Sequence, residues 1–241
     1  MRPVLIIKVG RTLPSLVAGR GDFDDWIVAA MGIPPEQVNI VEVSNGETLP
    51  DYREISGIVI TGSHDMVTDH LGWSEYAAKW LPGAVDRRIP TLGICYGHQL
   101  LAYSLGGRVA NNPLGNEIGT VAVRLDELAQ DDLLLGGMGS QIRVHVFHTQ
   151  SVLDLPPGAR GLAESDLDRL QAFVVGDRAW GVQFHPEFDA DIVVHYINHY
   201  REILLREGAD PDACMKQVAD SADGSRILKR FYKIVTASEA I

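Results

Sequence analysis

Over the first hundred positions, short unbroken apolar runs alternate with polar stretches of helical period. Val4–Val9, Val38–Val43, Ile55–Thr61 and Thr91–Ile94 each read as a strand, and Ile55–Thr61 is apolar at nearly every position. Neighbouring residues of a strand point to opposite faces. A run that is apolar throughout therefore predicts a strand covered on both sides, as in a parallel sheet between helical layers. Asp22–Met31 has the spacing of a helix with Asp22 as its cap, and Asn45-Gly46 marks a turn. Gly72–Arg88 reads as a further helix that Pro82-Gly83 is expected to break or kink. The chain after Ile94 turns to helix through Leu105 and stops at Gly106-Gly107.

Beyond Gly107 the pattern changes. Gly119–Leu125, Gln141–Val146, Gln171–Val175 and Ala179–Gln183 are shorter β segments punctuated by glycine, proline and aspartate, which suits antiparallel structure. Asp189–Arg206 returns to helix, with Ile192, Val193, Tyr196, Ile197, Tyr200 and Ile203 at helical spacing. Asp210-Pro211 is a cap followed by proline, a helix start. Ser225 is read as the cap of a last helix whose Ile227, Leu228, Phe231, Ile234 and Val235 share one face. That face must be covered, by the same domain or by a second copy or partner. The reading is an α/β domain over residues 1–208 and a C-terminal helical extension over 209–241.

Composition narrows the function classes. The 241 residues are 46% apolar, enough for a substantial core, yet no apolar run approaches the ~20 residues that span a bilayer. Met1-Arg2-Pro3 leads straight into the first strand and leaves no room for a signal peptide. A net charge of −11 with no basic stripe argues against a nucleic-acid or anionic-membrane surface.

Candidate chemistry gathers at two places. Gly93-x-Cys95-x-Gly97 has the glycine spacing of a nucleophile elbow, with a thiol in the central position. Small neighbours allow a strand to turn sharply into a helix. Such an elbow sets the sulfur at a helix N-terminus, where free N–H groups and the helix dipole favour thiolate. Downstream, Gly181-Val182-Gln183-Phe184-His185-Pro186-Glu187 follows a strand read as Trp180–Phe184. Pro186 biases His185 toward extended backbone, and residues i and i+2 of an extended chain share a side. Glu187 is thus expected to orient His185, completing a thiol triad. The acid follows the histidine by two residues, which argues against an α/β-hydrolase. With Cys95 as nucleophile, a bridge to Cys214, the other cysteine, would inactivate it, so a reducing cytoplasm is the expected setting.

Gly-Ile-Cys-Tyr-Gly-His-Gln at 93–99 and Gly-Val-Gln-Phe-His-Pro-Glu at 181–187 together resemble the class I (triad) glutamine amidotransferases, over roughly residues 3–205. The resemblance implies a flavodoxin-like three-layer sandwich with a mixed, mainly parallel sheet. It also implies release of glutamate and ammonia from a glutamine side chain through a thioester on Cys95, with His185 as base and acid and Glu187 behind it. Thr61-Gly62-Ser63 lies where the family keeps its oxyanion loop, so the implied donors are the backbone N–H groups of Gly62 and Tyr96. Gln99, one helical turn beyond Cys95, occupies a substrate-contacting position. Phe147-His148-Thr149-Gln150-Ser151 replaces a loop that often reads His-Gly-Asp, with Thr149 and Gln150 as the departures. Asn111–Gly119 reads as a turn-rich connector; stand-alone relatives similar to the glutaminase part of GMP synthase carry such a segment beside the cleft, and Glu117 there is a candidate to orient a loop or bind an amine.

The other histidines, His64, His70, His98, His145, His195 and His199, read as surface or structural. His195 and His199 have metal-like spacing but no third ligand nearby, and neither metal nor cofactor is expected. There is no Gly-x-x-x-x-Gly-Lys loop and no second α/β unit to hold an ammonia acceptor. Either a separate synthetase subunit supplies one, or the chain hydrolyses γ-glutamyl amides or peptides alone; a homodimer is also open. The competing readings are a DJ-1/protease-like thiol hydrolase, in which histidine directly follows the cysteine where Tyr96 stands here, and a non-catalytic regulatory subunit.

Overall fold

The computed structural model describes residues 2–239. Its first half comprises β1 (Val4–Lys8), α1 (Pro14–Arg20), α2 (Phe23–Met31), β2 (Val38–Glu42), β3 (Gly57–Ile60), α3 (Gly72–Asp86), β4 (Thr91–Ile94) and α4 (Tyr96–Ser104). Then follow β5 (Arg108–Asn111), β6 (Glu117–Leu125), β7 (Gln141–His148), β8 (Gln150–Asp154), β9 (Ala159–Glu164), β10 (Ala172–Val175) and β11 (Ala179–Val182). Four helices close the described chain: α5 (Ala190–His199), α6 (Arg201–Arg206), α7 (Pro211–Gln217) and α8 (Asp223–Glu239).

Nine strands form one mixed sheet in the order β2-β1-β3-β4-β11-β10-β9-β6-β7. The first five are mutually parallel, and the rest of the sheet is antiparallel. Strand alternation sorts the core into two layers. Val4 and Ile6 of β1 join Ile27 and Met31 of α2 and Ile227, Leu228, Phe231 and Val235 of α8. Leu5 and Ile7 face the other way, onto Ala77 and Leu81 of α3 and Leu100 and Leu101 of α4. The result is the expected flavodoxin-like three-layer sandwich. Because β1, β3, β4 and β11 run parallel, the residues that follow each of them emerge along one edge of the sheet, where open α/β sheets place their ligands.

Four local expectations need correction. Pro82 neither ends nor interrupts its helix: α3 runs unbroken through it. Burial of Ala77, Ala78, Leu81 and Ala84 beneath the sheet outweighs the ~3 kcal/mol that an interior proline costs. The helix expected over 189–206 divides at Tyr200 (φ −92°, ψ 9°), whose hydroxyl is held by a ring nitrogen of His64. Ser225 lies inside α8, which begins at Asp223. Strands β5, β8 and β9 were not anticipated; β5 and β8 pair as a separate antiparallel ribbon. The apolar stripe of α8 is covered by the chain's own sheet and α2, with Ile227, Leu228, Phe231 and Val235 fully buried.

Candidate active site

The elbow is built as its glycines require. Cys95 has φ 51° and ψ −103°, a strained backbone for a side chain of its size. A Cβ on Gly93 would stand 2.3 Å from the Gly97 carbonyl oxygen, and one on Gly97 2.5 Å from that of Ile60. Both neighbours are backbone, so only glycine permits the turn. The Cys95 amide donates to Val182 O at 2.9 Å and the Gly97 amide to Thr61 O at 3.2 Å, fastening the elbow to the strands on either side. Tyr96 opens α4, and among the described residues neither its N–H nor that of Gly62 is taken by a protein acceptor.

His185 reaches the same edge from beyond β11. Its amide donates to His145 O at 2.8 Å, and its ring stacks on Phe188 at 4.0 Å, with Phe23 next in the same aromatic cluster, 6.0 Å from His185 and 6.2 Å from Phe188. The His185 Nδ1 to Glu187 Oε1 separation is 2.7 Å. The expected residue pair therefore meets, but not through extended alternation. β11 stops at Val182, Pro186 and Glu187 form a turn, and the Phe188 amide donates back to His185 O at 3.3 Å. A proline that favours extended backbone before it also suits a turn position itself. Burial opposes charge on the His185 ring, but the Glu187 carboxylate and the Cys95 sulfur outweigh it, and the pKa is pushed up to about 10. Gly62 lies against this ring: a Cβ there would be 3.0 Å from His185 Cε1.

A cleft of about 260 Å³ opens over Cys95 and His185. Gln99, Thr149 and Gln150 all line it. Gln99 Nε2 donates to Gln150 O at 2.7 Å and Gln183 Oε1 at 3.0 Å, tying α4 to the start of β8. Gln150 turns its own amide nitrogen to Thr68 Oγ1 and Asn111 Oδ1, and its side chain is a brace beneath the cleft. Glu117 faces inward. It accepts from Ser165 Oγ at 2.5 Å and meets His148 Nε2 at 3.0 Å, holding the residue next to Thr149.

Several lining residues had been given no place in the site: His64 was read as surface or structural, Tyr196, Tyr200 and Ile203 as a helix stripe, and Asp65 and Glu207 not at all. His64 and Asp65 follow the Gly62 loop, and Phe147, Tyr196, Tyr200, Ile203 and Glu207 line the cleft too, with His64 stacked on Tyr196. The signal for the latter was present: 196, 200, 203 and 207 are spaced as one helical face. His195 lies elsewhere, bonded to Ser15 Oγ at 2.8 Å. No group of three potential metal ligands occurs among the described residues.

Fold and site together define a class: a flavodoxin-like α/β protein whose strained, buried thiol faces an imidazole–carboxylate pair at the carboxyl edge of a parallel sheet. The family model for class-I glutamine amidotransferases matches residues 23–193. A subunit of the glutamine-hydrolysing GMP synthase of Haloarcula marismortui is 38% identical over 148 residues, covering 61% of this chain and 72% of its own. Gamma-glutamyl peptidase 4 of Arabidopsis thaliana is 29% identical over 223 residues, covering 88% of each chain. Among solved structures, a glutamine amidotransferase from Methylobacillus flagellatus superposes with a TM-score of 0.75 at 26% identity, covering 99% of this chain and 95% of its own. One from Thermotoga maritima has the same fold, with a TM-score of 0.76 at 22% identity over 98% of each chain. The chain belongs to the class-I glutamine amidotransferase family.

Proposed function

We propose that the chain hydrolyses the γ-amide of a glutamyl group through a thioester on Cys95. The observation that carries this reading is that Cys95 and His185 line one cleft, with His185 Nδ1 held 2.7 Å from Glu187 Oε1. His185, protonated at neutral pH, pairs with the Cys95 thiolate as sulfur attacks the γ-carbonyl carbon, then gives its proton to the departing nitrogen. Water, deprotonated by the same ring, cleaves the thioester and releases glutamate. The Gly62 and Tyr96 N–H groups, which no protein acceptor takes among the described residues, receive the developing oxyanion; one such donor is worth about 3–4 kcal/mol of barrier. Gln99 and the main chain around Thr149 and Gln150 hold the glutamyl end. Both cysteines are free, and a thiol nucleophile functions in a reducing compartment, so we place the protein in the cytoplasm.

Two leaving groups satisfy this chemistry. With glutamine the product is ammonia, passed to a separate synthetase, a role that the GMP synthase relative supports. With a γ-glutamyl amide it is an amine, and the chain works alone. The second reading is favoured by coverage: the gamma-glutamyl peptidase alignment spans 88% of this chain, against 61% for the GMP synthase relative. Turnover of glutamine and of γ-glutamyl amides by the pure chain, with and without cell extract, tests both. Glutamine turnover that appears only with extract supports the partner; turnover of neither substrate under any condition refutes the reaction.

A further inference from the structure

Gly62 has to present its N–H where the oxyanion forms, yet the loop that carries it has few fastenings. Thr61 is well held. Its amide donates to Ile7 O at 3.1 Å, its carbonyl accepts the Gly97 amide at 3.2 Å, and its hydroxyl accepts the Val9 amide at 3.1 Å. Residues 62–65 then lie outside the sheet. The Gly62 carbonyl accepts from the Thr61 hydroxyl, and Ser63 Oγ bonds only to the carboxylate and amide of Asp65. Among the described residues, the one member of 62–65 that hydrogen-bonds beyond this loop is His64.

Its two partners stand four residues apart, on one helical face. His64 Nδ1 meets Tyr200 Oη at 2.9 Å and Nε2 meets Tyr196 Oη at 3.3 Å, with the imidazole nearly parallel to the Tyr196 ring at 5.7 Å. Both tyrosines are anchored. Tyr196 is buried in one cluster with Phe23 and Phe188. Its hydroxyl meets Thr12 Oγ1 at 2.8 Å, and the Thr12 amide donates to Asp22, the cap of α2, at 2.8 Å. Phe147 packs on both rings, 5.1 Å from Tyr196 and 5.2 Å from Tyr200. Desolvation first, then the charge on His185, hold His64 below the usual imidazole range, so its ring is neutral near pH 7. One neutral tautomer completes the chain: Nδ1 accepts the Tyr200 proton, Nε2–H donates to Tyr196, and the Tyr196 proton goes on to Thr12.

From this accounting we infer that His64 is a positioning residue for the oxyanion: clamped to Tyr196 and Tyr200, it fixes the far side of the loop whose Gly62 N–H takes the developing charge. This rests on the γ-amide reaction proposed above. In it the Cys95 sulfur bonds to the γ-carbonyl carbon and the C=O electron pair moves to oxygen, the atom that Gly62 and Tyr96 bind. A donor fixed in advance stabilises that charge without reorganising. A loop released at His64 has to be ordered again in each turnover, so the cost falls on the chemical step and not on glutamyl binding.

The test sets kcat for glutamine or a γ-glutamyl amide beside calorimetric binding of glutamine in a Cys95→Ser background, which reads affinity apart from chemistry. His64→Ala should lower kcat about tenfold to thirtyfold, less than the roughly hundredfold to thousandfold that loss of a whole donor costs. Glutamine affinity in the serine background should stay unchanged. Tyr196→Phe with Tyr200→Phe removes both hydroxyls and keeps both rings; it should lower kcat to a similar extent, and adding it to His64→Ala should cost little more. Wild-type kcat in His64→Ala or in the paired tyrosine variant overturns the clamp and leaves hydrolysis standing. A loss of glutamine affinity that matches the loss of kcat assigns His64 to substrate binding and overturns the clamp too. If no γ-amide turns over, the variants are compared by the rate at which a glutamyl chloroketone alkylates Cys95. There the sulfur first adds to the ketone carbon, raising an oxyanion in the same hole, and chloride leaves as sulfur bonds to the neighbouring carbon. Labelling unaffected by His64→Ala overturns the clamp, and a wild-type chain that neither hydrolyses nor labels overturns the γ-amide reading with it.

Discussion

Gly224, in the first turn of α8, lies 37 positions beyond Glu187 in sequence, yet the structure makes it a determinant of the His185–Glu187 turn. A Cβ at 224 would stand 2.6 Å from the Pro186 carbonyl oxygen, 2.8 Å from its Cα and 3.0 Å from its carbonyl carbon. All three atoms are backbone and cannot swing aside. Ordinary contact begins at 3.4 Å, so α8 or the turn must retreat by about 0.8 Å. Gly224→Ala gains at most about 1 kcal/mol of helix propensity, and overpacking of a closed site costs about 1–3 kcal/mol. The net change is a modest loss of stability, a few degrees in Tm for a chain of this size. Catalysis should suffer more, because a misplacement near 1 Å in a reacting constellation costs up to about a hundredfold. The assay is the rate at which a glutamine-mimicking diazo-ketone labels Cys95, with thermal melting in parallel and Lys229→Ala, at an exposed position of the same helix, as control. A tens-fold slower labelling with Tm lowered by a few degrees is expected. Wild-type labelling together with an unchanged or higher Tm would refute the coupling of α8 to the turn.

Three further outcomes follow from named contacts. Cys95→Ser should lose turnover while keeping its fold, and the diazo-ketone should label Cys95 and spare Cys214; equal labelling of both thiols by mass spectrometry would remove Cys95 from its role. The folded pKa of His185, about 10, lies above the ordinary 6.5, so its charge stabilises the fold fully below about pH 6.5 and that contribution is lost as pH rises through 10. Glu187→Gln removes the strongest upward influence on His185, so the alkaline limbs of both stability and kcat/KM should move to lower pH; superimposable profiles would contradict the assignment. Phe231→Ala, at a fully buried ring packed edge-on to Trp180, should cost about 3–5 kcal/mol in chemical denaturation, and a loss under about 1 kcal/mol would show that α8 is not part of the core.

Legibility in the sequence tracks how narrowly physics restricts each position. The elbow was readable because its backbone admits almost nothing but glycine at 93 and 97. The parallel strands were readable because burial on both faces leaves continuous apolar runs. The reason given for the His185–Glu187 meeting was wrong although the residues were right, since a turn and an extended pair place i and i+2 within reach of each other alike. β9 escaped notice because Ala-Arg-Gly-Leu-Ala-Glu buries only Leu162 and Ala163, too little for a periodic signal. The tyrosine lining of the cleft was hidden for the opposite reason. Tyr196 packs into the core with its ring while also lining the cleft, so its helical stripe reads as ordinary packing.

The boundary drawn at residue 208 marks where the motifs stop, and the contacts that hold the site cross it. The Ala219 amide donates to Thr120 Oγ1 at 3.1 Å, and Thr120 Oγ1 meets His145 Nδ1 at 3.1 Å. The His145 carbonyl in turn accepts the amide of His185. Asp223 accepts the Arg143 amide on the same strand, β7. The connector between α7 and α8 therefore reaches His185 through Thr120 of β6 and His145 of β7, Asp223 of α8 holds β7 at Arg143, and Gly224 abuts Pro186 directly. Such a device suits a histidine that follows the end of its strand and is held by one bridge to β7 and a turn. Where β11 stops, α8 takes over the work that sheet pairing does for Cys95, and the apolar face of that helix anchors it by burial in the central core.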